Sequence, residues 1–147
     1  MKLVLERTLG SVEELEHFCE EMVRLIEEKP FCMWLRGDLG SGKTTSVQRM
    51  LYKLGLDYST PVNSPTYTYI QSYSIDKVVY AHLDLYRIQG VQALHELDIT
   101  LPENCAGVFV EWPEKLQDEP LLDPTCWLEM AYVDANTRLA RFYLPGL

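Results

Sequence analysis

Apolar positions recur at helical spacing near the start of the chain, where Val12, Leu15, Phe18, Cys19, Met22, Leu25 and Ile26 fall on one stripe. Ser11 followed by Glu14 is a capping-box pattern ahead of that stripe, so a helix is predicted over 11–29, stopped by Pro30. The period then changes. Phe31–Leu35, "FCMWL", is a short continuous apolar run suited to a strand covered on both faces. Helical spacing returns after Lys43, with Val47, Met50, Leu51 and Leu54 on one side and Gly55 as the stop.

Thr66–Tyr73 and Val78–Tyr86 are rich in aromatic and β-branched residues and flank "SIDK", which predicts a hairpin. In its second strand Val79, Ala81, Leu83 and Leu85 share one face, and Tyr80, His82, Asp84 and Tyr86 the other. A short helix is predicted over Gly90–Leu97, and a buried strand over Gly107–Val110 ending in Glu111. A Pro-containing loop from Pro113 to Pro124 then leads to a terminal hairpin, Cys126–Val133 and Thr137–Leu144 around "DAN". The chain shows no internal repeat or low-complexity tract.

At 147 residues the length is that of one ordinary domain, expected to span 1–147 and able to bury a core without metal or disulfide support. Apolar residues at 47% and charged residues at 24% point to a soluble globular protein. A net charge of −9, with the basic residues scattered, opposes a nucleic-acid backbone, so direct nucleic-acid binding is not expected. An acidic chain that binds an anion must rely on local donors such as main-chain N–H groups at a helix start. The four cysteines show no C-x-x-C spacing and read as reduced, largely buried thiols. No leader and no membrane-spanning apolar run is seen, and the expected location is the cytoplasm.

Those local donors are supplied between the first predicted strand and the second predicted helix. Gly37, Gly42, Lys43 and Thr44 in "RGDLGSGKTT" satisfy G-x-x-x-x-G-K-[ST], the phosphate-binding loop, in its required strand-to-helix setting. Glycine allows the backbone to bend with its N–H groups pointing inward. The loop Asp38, Leu39, Gly40, Ser41, Gly42, Lys43, Thr44 and Thr45 is therefore expected to bind ATP or ADP. Lys43 would neutralise β- and γ-phosphate charge, and the Thr44 hydroxyl would be a ligand of Mg²⁺.

Such a fold places an acid at the end of a neighbouring apolar strand. Asp84 after "VVYAHL" and Glu111 after "GVFV" both qualify, one for Mg²⁺ and the other for the attacking water, and the sequence does not assign them. Thr66 in "NSPTYT" is a candidate switch threonine beside the γ-phosphate, with a strand-opening turn as the alternative. Arg87 would reach a phosphate or sit in an exposed ion pair, His82 reads as a packed strand residue, and Trp112 would stack on the base or pack at the rim. The lack of an N-K-x-D sequence favours adenine over guanine.

"GDLGSGKTT" from Gly37, "NSPTYT" from Asn63, "HLDLYR" from His82 and "VFVEWPEK" from Val108 together resemble the successive signatures of the bacterial TsaE (formerly YjeE) ATPases, over roughly Leu9 to Val133. The resemblance implies a P-loop NTPase-like α/β fold: a three-layer sandwich whose mixed sheet has a parallel core and antiparallel hairpins. It implies an ATPase required for making threonylcarbamoyladenosine beside the anticodon of tRNAs that read codons beginning with A. Its partners would be TsaD and TsaB, which the ATPase resets between turnovers while they hold the tRNA, so that no direct tRNA binding by this acidic chain is expected. Lys43, Thr44, Thr66, Asp84, Glu111 and Trp112 match the nucleotide, magnesium, switch, acidic and tryptophan positions of that pattern. Ser41 stands where many members have alanine, and Asp98 where a glycine is common.

Slow turnover of the isolated protein is expected, because no arginine cluster stands ready to stabilise phosphoryl transfer. Two other activities fit the same loop. A small-molecule kinase would need an acceptor pocket and commonly an arginine-rich lid, and a non-hydrolysing nucleotide-dependent binding module would use Asp84 and Glu111 only to shape an interface.

Overall fold

A computed structural model describes residues 1–27, 29–97, 100–116 and 122–146. Its elements run β1 (Lys2–Leu9), α1 (Val12–Leu25), β2 (Phe31–Arg36), α2 (Lys43–Leu54), β3 (Ile70–Ile75), β4 (Val78–Asp84), α3 (Gly90–Leu97), β5 (Cys105–Glu111), a 3₁₀ turn (Pro113–Lys115), β6 (Cys126–Asp134) and β7 (Thr137–Leu144). The strands form one seven-stranded sheet in the order β1-β7-β6-β2-β5-β4-β3. β6, β2, β5 and β4 pair in parallel. β7 with β1 at one edge and β3 at the other add antiparallel. The expected mixed sheet, a parallel core flanked by hairpins, is the one observed.

Two apolar layers lie on the two faces. α1 sends Leu15, Phe18, Cys19 and Met22 against Val47, Met50 and Leu51 of α2 and against Met33, Leu35, Phe109, Leu128 and Phe142 of the sheet. Burying each large apolar side chain there contributes about 1.5–3 kcal/mol. The opposite face carries Ala81, Leu83, Val108 and Val110, covered by Leu85, Ile88, Ala93, Leu97, Leu116 and Leu122. β2 and β5 read as continuous apolar runs because both their faces are covered.

Several boundaries differ from the sequence prediction for identifiable reasons. β1 was not anticipated: it is an edge strand exposed along most of its length, so it has no apolar alternation to reveal it. α1 is capped as expected, Ser11 Oγ accepting from Glu14 N–H, but it ends at Leu25, with Ile26 extended and its N–H bonded to Met22 C=O. β3 begins at Ile70 rather than Thr66, because Pro65–Tyr69 closes a turn with Tyr69 N–H bonded to Pro65 C=O at 2.6 Å. β4 buries both faces, since it is an interior strand between β5 and β3 and not an arm of a free hairpin. Asp98 lies outside the described residues.

Candidate nucleotide-binding site

The loop between β2 and α2 curls at the carboxyl end of the parallel core, with Gly37, Gly40 and Gly42 all at positive φ. Gly37 has no space for a side chain: a Cβ there would lie 2.4 Å from the Met130 carbonyl oxygen of β6 and 2.6 Å from Ser41 Oγ. Glycine is required at this point both for its φ of +150° and for the close approach of β6. β6 supports the loop again one turn on, where Tyr132 Oη donates to Leu39 C=O at 3.2 Å. Gly42 caps α2 without a side-chain bond, leaving the first amides of the helix directed at the cleft. Ser41 is fully buried and its Oγ has no partner among the described residues.

Lys43 crosses the loop and donates to Gly37 C=O at 2.5 Å, and its Nζ lies 3.6 Å from the centre of the Trp112 indole. Burial pulls this ammonium below the ordinary lysine range, opposed by Glu111, Glu114, Asp84 and Asp38. Thr44 opens the first turn of α2 and reaches β5: its Oγ1 is 3.0 Å from Glu111 Oε1 and 2.9 Å from Oε2.

The two acids end neighbouring strands in register, Asp84 beside Glu111, yet they have different partners. Glu111 is tied to Thr44 and, through Oε2, to His82 Nε2 at 2.5 Å. Asp84 Oδ2 accepts from Ser64 Oγ and, at 3.3 Å, from Thr66 Oγ1, while Oδ1 accepts from Tyr86 N–H at 2.9 Å. Ser64 and Thr66 are themselves 3.0 Å apart. All three carboxylate and imidazole groups are buried. Ser64 was not singled out in the sequence; the proline after it was the sole local signal of a fixed loop there.

These residues line a cleft of about 420 Å³ that includes Lys43, Thr44, Thr66, Asp84, Glu111 and Trp112. Asp38 and Leu39 form the exposed crest of the loop, with Asp38 C=O accepting from Ser41 N–H at 3.0 Å. Thr45 is exposed and also borders a second hollow, of about 300 Å³, on the other flank of the loop beside Gly10, Ser11, Asn136 and Arg138. Trp112 has φ 61°, a left-handed conformation costly for a bulky residue, and packs against Tyr86 with ring centres 4.9 Å apart. It therefore sits on the Lys43–Glu111 side of the loop. Arg87 lines the same cleft as Lys43 and Glu111 and stacks over the exposed Tyr67 ring at 4.7 Å. No helix among the described residues is long and apolar enough to cross a membrane.

A glycine loop joining a central parallel strand to a helix, with acids at the ends of the adjacent strands, defines the P-loop NTPase-like class of α/β protein. The fold is shared with a Bacillus protein, YdiB, whose crystal structure superposes with a TM-score of 0.69 at 23% identity, covering 99% of this chain and 89% of that one. Residues 9–140 match the family model described as threonylcarbamoyl adenosine biosynthesis protein TsaE, and the chain belongs to that family. Proteins named tRNA threonylcarbamoyladenosine biosynthesis protein TsaE are 33% identical in Aquifex aeolicus, over 97% of this chain and 98% of that one, and 38% identical in Haemophilus influenzae, over 68% and 63%. The match thus spans less than two thirds of the Haemophilus relative.

Proposed function

We propose that the protein is a Mg²⁺-dependent ATP hydrolase that serves tRNA threonylcarbamoyladenosine formation by acting on the TsaD–TsaB pair. The observation that carries this reading is the contact of Thr44 Oγ1 with both carboxylate oxygens of Glu111, which brings the loop hydroxyl and a strand-end acid into one buried site. Family membership supports the biosynthetic role.

The residues present fit a polyphosphate and its metal. A loop closed against any Cβ at Gly37, an uncapped helix start and the unpartnered Ser41 Oγ all favour a ligand rich in acceptor oxygens. Thr44 would hold Mg²⁺ with Asp84, from the neighbouring strand end, which leaves Glu111 to the attacking water. The bound ion would neutralise charge on the β- and γ-phosphate oxygens.

Lys43, buried and bonded to the Gly37 carbonyl in the free protein, would exchange that carbonyl for the β- and γ-phosphates. Glu111, freed from the Thr44 hydroxyl, accepts a proton from a water and orients it for attack. Asp84 holds Ser64 and Thr66, which keeps the Thr66 hydroxyl at the cleft, where it would meet the terminal phosphate. Trp112 lines the cleft with its indole against the Lys43 ammonium, where a base could still stack on it.

Arg87 is the arginine that lines the cleft among the described residues, and no cluster of arginines stands there, which supports a stabilising arginine from a partner. Phosphate release measured with and without TsaD and TsaB tests the reading: stimulation supports it, and an unstimulated protein that binds but never cleaves ATP refutes it.

A further inference from the structure

The hydrolytic reading leaves His82 unused. It lies on β4 within the parallel core, fully buried, on the strand face shared with Tyr80 and Asp84. Its Nε2 is 2.5 Å from Glu111 Oε2, and its Nδ1 is buried with no partner among the described residues. The imidazole is thus bonded at one atom, and that bond points at the carboxylate of the site.

A histidine that only filled the core would be replaced to advantage by an apolar residue, because burying an imidazole nitrogen without a partner costs free energy. The gain must lie at Glu111. An ionised carboxylate only accepts, so the shared hydrogen belongs to Nε2 and the ring donates. In the ligand-free protein Glu111 has two anchors, Thr44 on both oxygens and His82 on Oε2. When Thr44 turns to a metal, one anchor is lost, and the terminal torsion of a glutamate is soft. His82 is then the group that remains.

We infer that His82 is a positioning residue for Glu111: by holding Oε2 from inside the sheet, it keeps Oε1 turned into the cleft while the nucleotide is bound. The inference rests on the assignment of Glu111 as the acid that orients water, and it adds a residue that touches neither nucleotide nor metal.

The test compares His82→Leu, which removes the donor, with His82→Gln, whose amide nitrogen reaches nearly the same place. Both are made in the full chain, alone and combined with Glu111→Ala, and assayed for phosphate release with TsaD and TsaB present. His82→Leu should lower kcat by about tenfold or more, with the ADP affinity changed less than about twofold. His82→Gln should recover most of that loss, and neither change should lower the rate further in the Glu111→Ala background. In the nucleotide-free protein the His82 ring N–H resonance should move when Glu111→Ala is introduced, a readout independent of turnover. A rate lowered by Glu111→Ala but not by His82→Leu, or lowered equally by His82→Leu in both backgrounds, overturns the role of His82 alone. A rate indifferent to Glu111→Ala overturns the assignment of Glu111 and His82 with it. Should His82→Leu fail to fold, a folded His82→Gln with kcat near the Glu111→Ala level also overturns the inference.

Discussion

Thr44 and Glu111 stand 67 positions apart in the chain, and the threonine hydroxyl bridges both oxygens of the glutamate at 3.0 and 2.9 Å. The pair exists because two parallel strands, β2 and β5, are neighbours in register, Leu35 opposite Glu111, so the helix that follows β2 starts over the end of β5. The topology of the sheet thereby makes a site from a loop and a strand end.

Removing the proton-accepting character of Glu111 should separate binding from chemistry. Glu111→Gln keeps the shape and can still accept from Thr44. It should reduce the partner-stimulated rate by about 10²- to 10⁴-fold, the usual contribution of a general base, while ADP affinity measured by calorimetry stays within a few-fold. Loss of affinity in proportion to rate would assign Glu111 to ground-state binding.

The packing of β6 under the loop predicts a structural cost at Gly37. In Gly37→Ala the new methyl meets the Met130 carbonyl oxygen, main chain that cannot step aside, at a φ of +150°. The combined overpacking and backbone strain should cost about 2–4 kcal/mol. In thermal unfolding that is a fall in Tm of roughly 5–15 °C. An unchanged Tm would show that β6 does not press on the loop in solution.

The thiols give a pH-dependent signature. Burial raises Cys19 and Cys32 from 9.0 to about 12. A group whose folded pKa is raised favours the protonated form in the native state. The stability it contributes is therefore complete below 9.0 and is lost as pH rises from 9.0 towards about 12. Chemical unfolding followed across that window should show falling stability. Thiol titration of the native protein near pH 8 should modify the half-buried Cys105 first, with Cys19 and Cys32 reacting only on unfolding.

Much of this arrangement is legible along the chain, and what is not has a common cause. Apolar spacing located α1, α2, β2 and β5, and the loop motif announced itself because its chemistry is local: glycines, lysine and threonine must be consecutive. β1 is not legible, since in the edge strand "KLVLERTL" only Leu9 is buried and Leu5 half-buried, too few positions to set a pattern. The two acids were found as strand ends but could not be told apart, because their partners come from elsewhere: Thr44 and His82 for Glu111, and Ser64 and Thr66 for Asp84. Trp112 illustrates the same limit. Its identity suggests stacking on the base or packing at the rim, and its place beside Lys43 depends on a left-handed turn after β5 that residue type alone does not encode.

If a partner supplies the missing positive charge, stimulation should be large and the phosphate should go to water. Adding TsaD and TsaB should raise ATP hydrolysis by up to about 10³-fold or more, the range of a supplied arginine. All the phosphate should appear as inorganic phosphate. Transfer to an added metabolite would instead mark a kinase.

The account depends most on the claim that the loop before α2 seizes the phosphates of ATP with Lys43 as its charge. Calorimetric titration of the wild-type protein and Lys43→Ala with ATP and Mg²⁺ measures this directly. The account predicts tight binding by the wild type and a loss of about 10- to 100-fold or more on removing the ammonium, the worth of a hydrogen bond to a charged group. Equal affinities for the two proteins would contradict it.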